Sequence, residues 1–307
     1  GKKLLKMADE LQINVFGTSA KYISALESQN IFPNEVSTFS HLKSILSTGS
    51  PLVDENYDFV YEKWKNDIQL CSISGGTDII SCFALGNPIL PVKKGELQCR
   101  GLGMKVESYD NNGCSVINLK GELVCTKAFP SMPIYLWNDE KNEKYMKTYF
   151  NVFQGIWHHG DYISISEFGG IKIFGRSDTT LNPGGVRIGT SEIYQTVEKF
   201  KEIEDSLVIG QPWKNDERII LFIKMKSDYV LTTELIDKIK LSIKKSCTSR
   251  HIPKKVIQIN DIPYTINGKK VELAVKQVIQ NIEIKNKDSI VNPEILDDYK
   301  KIMELRT

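Results

Sequence analysis

The sequence predicts a multidomain chain, in which an α/β layer and a small β-barrel are followed by a compact α+β domain. Three changes of pattern indicate this. Helix-like stretches alternate with short apolar strands up to about residue 91, short strands separated by turns fill residues 92–175, and helices and strands mix again from residue 184. With 307 residues, 41% hydrophobic and 25% charged, the chain is long enough for more than one core.

The α/β layer is predicted from the spacing of its apolar residues. Helical spacing indicates helices over residues 2–11, 22–29 and 39–46. Short apolar runs that end in Gly, Ser or Thr indicate strands over residues 14–16 and 70–73. Alternation of this kind is typical of layered α/β structure.

The small antiparallel barrel or sandwich is predicted from five short strands, at residues 96–99, 104–109, 122–126, 162–166 and 171–174. The polar turn residues 176–183 then form the domain boundary. In the α+β domain, residues 184–307, helices are predicted over residues 190–200, 231–246 and 271–280, and strands over residues 207–209, 219–225 and 256–259. A polar loop, residues 281–288, precedes a helix-like tail, residues 293–305.

Composition excludes several classes of function. Forty basic and 38 acidic residues leave a net charge of +2, which favours no nucleic-acid partner. The apolar runs are far shorter than the ~20 residues that span a bilayer, so no membrane partner is expected. The six cysteines are scattered without a CxxC pair, which argues against a zinc site and favours reduced thiols in a cytoplasmic protein.

A glycine-rich segment, Ser74-Gly75-Gly76-Thr77-Asp78, directly follows a predicted strand. The glycines let the backbone approach a ligand closely, the Thr77 hydroxyl can donate a hydrogen bond, and the Asp78 carboxylate can hold Mg²⁺. A strand-to-helix turn with a Thr/Asp cap explains the same residues, so both interpretations stay open.

A second segment reads Trp157-His158-His159-Gly160-Asp161. An aspartate at a strand edge can accept hydrogen bonds from both hydroxyls of a ribose. Adjacent residues on a strand point to opposite faces, so the two histidines are not expected to share a metal. They are expected to be surface or packing residues.

Two further segments carry cations. Arg176 and Arg187 flank a turn that contains Gly184 and Gly185, an arrangement that suits a phosphate or a ribose–phosphate. A flexible linker with solvated charges is the alternative there. Farther on, an Asn-Gly turn precedes Lys269, whose ammonium could meet charge developing on a phosphate; a purely structural turn is the alternative.

In their order and spacing, these segments resemble the adenylate-forming acyl-CoA synthetases, which are AMP-binding enzymes. The resemblance is carried by GGTD, GELVCTKAFP, HGD, GRSD, NPGGVRIGTSEI and PYTINGK, and it runs through nearly the whole chain. It implies a two-step ligase: ATP and a carboxylate form an acyl-adenylate with loss of pyrophosphate, and coenzyme A then displaces AMP to give a thioester. ATP, Mg²⁺ and coenzyme A are therefore the implied cofactors and co-substrates.

The resemblance assigns roles to residues of the first part of the chain, which it makes the end of the large AMP-binding domain. Gly49, Ser50 and Pro51 match a turn that lies against the adenine. The glycine-rich segment matches residues that line the acyl group and the phosphates: Ser74, Gly75, Gly76 and Thr77, with Thr77 at the α-phosphate. Asp78 matches the Mg²⁺ position, and Asp161 and Arg176 match the ribose-binding positions.

The second part of the chain matches a mobile lid. Asp178 falls on the hinge about which this lid swings between the two half-reactions, and Lys269 aligns with the lysine that catalyses adenylation. The remaining matches contact ligands: Arg187 a phosphate, Gly184 and Gly185 the thiol arm of coenzyme A, and Lys244 another part of coenzyme A.

Substrate choice is predicted from the residues before Thr77. Acetate-specific members place Trp–Trp–Gln where this sequence has Ser74, Gly75 and Gly76, and an indole there closes the acyl pocket at two carbons. A glycine hydrogen in place of an indole enlarges the acyl pocket. The sequence therefore predicts a short 3-oxo acid as the substrate, with acetoacetate as the first candidate. Another short-chain acid, of the acetate or propionate type, is the alternative.

The family's phosphate-binding loop, [ST]-[ST]-G-[ST]-T-G-x-P-K, is absent from these residues. We therefore expect the chain to be the C-terminal portion of a longer enzyme, whose missing N-terminal portion is its partner. A non-catalytic nucleotide-binding fragment is the alternative from a different class of function.

Overall fold

A parallel three-stranded sheet organises the start of the chain. In the computed structural model, which describes residues 1–284 and 287–306, strands β1 (Val15–Ser19), β2 (Ser44–Thr48) and β3 (Gln69–Ser72) lie in the order β1-β2-β3. Ser19 pairs with Thr48, and Ser47 pairs with Ser72. The segments that follow the three strands therefore leave the sheet at one edge.

Three helices bury the apolar face of this sheet: α1 (Lys2–Glu10), α2 (Ala20–Ser28) and α3 (Asp54–Lys63). Helix α2 begins directly after β1, where the Ser19 hydroxyl accepts a hydrogen bond from the Tyr22 backbone N–H and caps the helix. The core beneath the helices is fully closed to solvent at Leu5, Ile23, Ile45, Val60 and Leu70.

The helix predicted over residues 39–46 is wrong. Phe39 has a φ of +49°, and the Leu42 N–H donates to the Phe39 carbonyl to close a turn. The rest of that stretch belongs to β2, where Ile45 is buried at the centre of the sheet. Pairing with strands on both sides outweighs the helical spacing of a few apolar residues.

Two antiparallel sheets follow. The first contains β4 (Ser74–Gly76), β5 (Ser81–Leu85) and β6 (Cys99–Arg100) in sequence order. The second contains β7 (Val106–Tyr109), β8 (Lys120–Cys125), β9 (Trp157–Ile165) and β10 (Ile171–Arg176) in the order β10-β9-β8-β7, with α4 (Glu143–Tyr149) packed against β9.

The predicted small barrel is wrong as a closed structure, because β7 and β10 end an open sheet in the described part of the chain. An isolated bridge between Leu97 and Ile171 links the two sheets without a continuous ladder. The space between them is filled by aromatic rings, with Phe83, Phe129 and Trp157 in edge or tilted contacts. These rings belong to one apolar core that includes residues of both sheets.

The rest of the chain is built on a sheet that is buried on both faces. Strands β11 (Ile203–Trp213) and β12 (Asp216–Met225) form an antiparallel hairpin, and β13 (Lys255–Gln258) runs parallel to β12. Alternate β12 residues enter different cores: Ile219, Leu221 and Ile223 pack in one, and Ile220 and Phe222 in the other.

Four helices cover the two faces. Helices α5 (Thr190–Val197) and α6 (Thr233–Ser246) pack on the first face, and α7 (Glu272–Ile279) and α8 (Leu296–Lys300) pack on the second. The helix predicted over residues 293–305 is interrupted, since α8 covers only its middle. The predicted loop 281–288 includes residues 285 and 286, which lie outside the described residues.

The chain divides into two units, Gly1–Ile173 and Phe174–Thr307. None of the helices in the described residues is long and apolar enough to cross a membrane.

Candidate active site

The carboxyl edge of the parallel sheet brings two predicted segments together. Gly49, Ser50 and Pro51 directly follow β2, and Gly49 has a φ of +90°, which only glycine adopts without strain. One residue, Ile73, separates Ser74 from the end of β3, and the Ile73 N–H donates to the Ser47 carbonyl at 2.8 Å. Ligands of open α/β sheets bind at this edge of the strands.

Gly75 is required by the packing of its own backbone. A Cβ at this position would lie 1.9 Å from the Ser81 carbonyl oxygen and 2.8 Å from the Cys82 Cα, both on the neighbouring strand β5. The absence of a side chain at Gly75 is therefore needed for strand pairing, independently of any effect on the acyl pocket. The interpretation of Gly75 as freed acyl volume remains a prediction.

His159 connects the glycine segment to Asp161. Its Nε2 lies 3.3 Å from the Gly75 carbonyl oxygen and 3.9 Å from the Asp161 Oδ2. Its ring packs edge-on against Phe83 at 4.8 Å, and a Cβ at Gly76 would lie 2.7 Å from its Cε1. One largely buried imidazole thus lies close to both segments, which are predicted to hold the phosphates and the ribose.

The sequence predicts His159 to be a surface or packing residue, because adjacent residues on a strand point to opposite faces and two such histidines do not share a metal. Its neighbour His158 points elsewhere, with its Nε2 2.9 Å from the Glu122 Oε2. The strand alternation predicted for the two histidines is therefore confirmed. The partly buried Glu122–His158 pair was not found from the sequence, since the two residues lie on paired strands and are 36 positions apart.

Asp78 is oriented by a tyrosine. The Tyr149 hydroxyl donates a hydrogen bond to the Asp78 Oδ2, and the Tyr149 ring stacks on buried Trp157, with centroids 3.7 Å apart. Asp78 and Thr77 are both exposed, so their oxygens are open to a ligand. A carboxylate oxygen held in place beside a hydroxyl fits the oxygen ligands that Mg²⁺ prefers.

No group of three or more His, Cys, Asp or Glu residues that could hold a metal occurs among residues 1–284 and 287–306.

In the second unit, Arg176 and Asp178 lie at a short 3₁₀ turn. The Arg176 Nε is 3.7 Å from the Asp178 Oδ1, and both side chains are about half exposed. The Asp178 charge reaches the interior of the unit: after burial, it is among the causes that raise the pKa of Glu272 on α7.

The glycine turn of the second unit has a defined backbone. Gly184 and Gly185 both have positive φ, and the Gly184 N–H donates to the Asp216 Oδ1 at 2.8 Å. The backbone N–H groups of Glu217 and Gly184 donate to the Asp216 carboxylate and hold its pKa below its ordinary value. Arg187 follows on the same turn and is half-buried.

Lys269 and Lys244 are both exposed. Lys244 lies in the last turn of α6, where a cation favours the helix dipole. Lys269 lies on a turn in which the Gly268 N–H donates to the Thr265 carbonyl at 2.8 Å, and its ammonium forms no ion pair with any residue that the structure describes. The predicted Asn-Gly turn is present at this position.

Comparison with known proteins identifies the family. No protein-family model matches the chain. Acetoacetyl-coenzyme A synthetase of Rhizobium meliloti (strain 1021) is 48% identical over 307 residues, which cover 100% of this chain and 47% of that protein. Acetoacetyl-CoA synthetase of Gallus gallus is 48% identical over 305 residues, covering 99% of this chain and 46% of that protein.

Solved structures show the same relationship. Acetoacetyl-CoA synthetase from Streptomyces lividans matches with a TM-score of 0.92 at 36% identity, covering 100% of this chain and 48% of that one. The chain belongs to the AMP-binding acyl-CoA ligases. The anthranilate CoA ligase AuaEII, solved with anthranoyl-AMP, matches in fold alone, with a TM-score of 0.72 at 19% identity over 87% of this chain and 50% of that one.

The resemblance and the mixed α/β fold predicted from the sequence are therefore confirmed. The chain spans about half the length of the curated relatives it matches.

Proposed function

We propose that the complete protein is an ATP-dependent ligase that converts acetoacetate, ATP and coenzyme A into acetoacetyl-CoA, AMP and pyrophosphate through an acyl-adenylate. The observation that carries this proposal is the 48% identity with acetoacetyl-CoA synthetases over the full length of the chain. The chain contributes the carboxyl edge of the nucleotide-binding sheet and the second unit.

The first unit would hold the nucleotide. Gly49, Ser50 and Pro51 lie on the sheet edge where an adenine can pack, and the Thr77 hydroxyl is exposed to donate to the α-phosphate. Asp161 is buried, with its Oδ2 3.9 Å from the His159 Nε2, and its carboxylate would accept hydrogen bonds from the ribose hydroxyls. Mg²⁺ at Asp78 would neutralise phosphate charge.

The second unit would supply the cations. Lys269 presents an exposed ammonium on a hydrogen-bonded turn, as needed to stabilise negative charge between the carboxylate and the α-phosphate. A carboxylate is already nucleophilic, so no general base is required. Arg176 would contact the ribose and Arg187 a phosphate.

Coenzyme A would then enter beside Gly184 and Gly185, with Lys244 contacting it farther along. We propose that the unit swings about Asp178, in the segment of residues 176–183, between the two half-reactions. Removing Lys269 from the phosphates after adenylation would let the thiol reach the acyl-adenylate.

The experiment measures thioester formation from acetoacetate, ATP, Mg²⁺ and coenzyme A by the full-length protein and by this chain, with acetate and propionate as competing acids. Activity of the full-length protein with acetoacetate, and its loss in Lys269→Ala, is the expected result. A preference for acetate or propionate would overturn the substrate. AMP binding without thioester formation would overturn the ligase in favour of a nucleotide-binding protein. A cytoplasmic location remains a prediction from the sequence.

A further inference from the structure

A second lysine, Lys270, lies directly after Lys269 and is largely, but not fully, buried. Its ammonium is 3.0 Å from the Asp205 Oδ1 and 3.3 Å from the Glu198 Oε1, and it lies 4.1 Å from the centroid of the Tyr194 ring. Its side chain is 16% exposed, in contrast to the exposed Lys269. Two neighbouring lysines on one turn therefore have opposite environments.

The other end of the turn reaches the same carboxylate. The Tyr264 hydroxyl donates a hydrogen bond to the Asp205 Oδ2, and Tyr264 and Lys270 form an isolated antiparallel bridge. Asp205 belongs to β11, which pairs with β12 at one side of the three-stranded sheet. Both ends of the turn are thus fastened by side chains to one residue of that sheet.

Within the turn, the backbone of Lys269 is bonded to Thr265. The Thr265 N–H donates to the Lys269 carbonyl at 2.8 Å, and the Lys269 N–H donates to the Thr265 Oγ1 at 3.0 Å. Movement of Tyr264 or Lys270 relative to β11 would therefore carry Lys269 with it.

The charge of Lys270 is maintained inside the unit. Burial by itself lowers the pKa of Lys270, but the charges of Asp205 and Glu198 outweigh burial and hold this pKa above its ordinary value. A buried cation costs free energy unless it is well paired, and removing one partner leaves an uncompensated charge. The sequence thus places a costly ion pair next to the lysine that points outward.

We propose that Lys270 is a positioning residue for adenylation: with Tyr264, it fastens the Lys269 turn to Asp205 and Glu198. This inference rests on the proposed function of Lys269. A turn that is loosened by about 1 Å is expected to lower the rate of the step that needs Lys269 by about 10- to 100-fold. The thioester-forming step does not need Lys269, so it should be spared.

The test separates the two half-reactions in the full-length protein. Adenylation is followed by acetoacetate-dependent exchange of pyrophosphate into ATP, and thioester formation by supplying a prepared acyl-adenylate with coenzyme A. Lys270→Met keeps the length of the side chain and is expected to lower the kcat of adenylation about 10- to 100-fold. The rate of thioester formation should stay within about twofold of that of the unmodified protein. Lys270→Arg should recover part of the loss.

Lys276→Met is the matched control. Lys276 lies on α7 of the same unit and pairs with Glu217 at 3.0 Å, with 24% of its side chain exposed. The Lys276→Met substitution removes a comparable half-buried ion pair that lies away from the Lys269 turn. The rates of both half-reactions should stay within about twofold of those of the unmodified protein. If Lys270→Met does not fold, Tyr264→Phe removes one hydroxyl from the same fastening and should show the same selectivity with a smaller loss.

The outcomes distinguish this inference from the proposed function. Loss of adenylation in Lys269→Ala but not in Lys270→Met or Tyr264→Phe overturns the positioning role alone. Equal loss of both half-reactions in Lys270→Met also overturns it, because general damage to the unit would do the same. Full adenylation by Lys269→Ala overturns the role of Lys269 in the proposed function.

Discussion

The imidazole of His159 occupies the space that a side chain at Gly76 would need, since a Cβ built there lies 2.7 Å from the His159 Cε1. The ring cannot easily give way, because it packs edge-on against buried Phe83 and its Nε2 faces the Gly75 carbonyl. The glycine and the histidine are therefore a matched pair on neighbouring segments of the candidate site.

Gly76→Ala is expected to lower the free energy of unfolding by about 1–3 kcal/mol, because the added methyl group overpacks against the ring. In a His159→Ala background the same change should cost at least ~1 kcal/mol less, since the ring is gone. Urea unfolding of the four proteins measures this coupling. Gly17→Ala, where a Cβ meets nothing within 4 Å, is the control. Additive losses would contradict the packing described.

Tyr149→Phe is expected to raise the Mg²⁺ concentration needed for half-maximal adenylation several-fold, because Asp78 loses the hydroxyl that orients it. The stack on Trp157 is retained, so stability should change little. Tyr145→Phe is the control, since its hydroxyl donates to the Pro133 carbonyl instead. An unchanged Mg²⁺ requirement in Tyr149→Phe would show that Asp78 does not depend on this tyrosine.

Cys71 is expected to resist alkylation in the folded protein. Burial raises the pKa of its thiol to about 11, so at pH 8 only about one molecule in a thousand carries the reactive thiolate. Cys114 is exposed and should react first. Iodoacetamide labelling followed by peptide mass spectrometry gives the order, and labelling in urea shows that both thiols can react. Equal rates for the folded protein would contradict the burial of Cys71.

Asp261 is expected to make the second unit sensitive to acid. Burial opposes its ionisation, but the Lys224 ammonium at 3.0 Å and the Asn292 amide at 2.9 Å outweigh burial, and the pKa of Asp261 lies below its ordinary value. A carboxylate with a lowered pKa stabilises the fold above its unfolded pKa, about 4, and this contribution is lost as pH falls through the folded value.

Asp261→Asn should therefore lower the melting temperature at pH 7 and flatten its decline below pH 4. Thermal unfolding between pH 7 and pH 2.5 measures both effects. Asp237→Asn, at an exposed position of α6, is the control and should follow the unmodified protein. If the melting temperature of Asp261→Asn falls with pH as it does in the unmodified protein, the Lys224–Asp261 pair contributes nothing to stability.

Local patterns predicted the elements whose signal lies within a few consecutive residues. The helix predicted over residues 22–29, the strand at β3 and the Asn-Gly turn before Lys269 are examples, since each depends on neighbours in sequence. The same approach failed at residues 39–46, where two adjoining strands decided the conformation. It also failed for the closed barrel, because closure depends on which strands pair at the ends of the sheet.

Segment order along the chain determined the family, because several short motifs at set distances are specific together although each is weak alone. Only the tertiary structure revealed why Gly75 and Gly76 lack side chains, and that His159 connects them to Asp161. It alone revealed that Lys270 pairs with Asp205, and that Tyr264, 59 positions from Asp205 in sequence, donates a hydrogen bond to the same carboxylate. Contacts of that kind depend on how distant strands pack, and no local pattern of residue types encodes them.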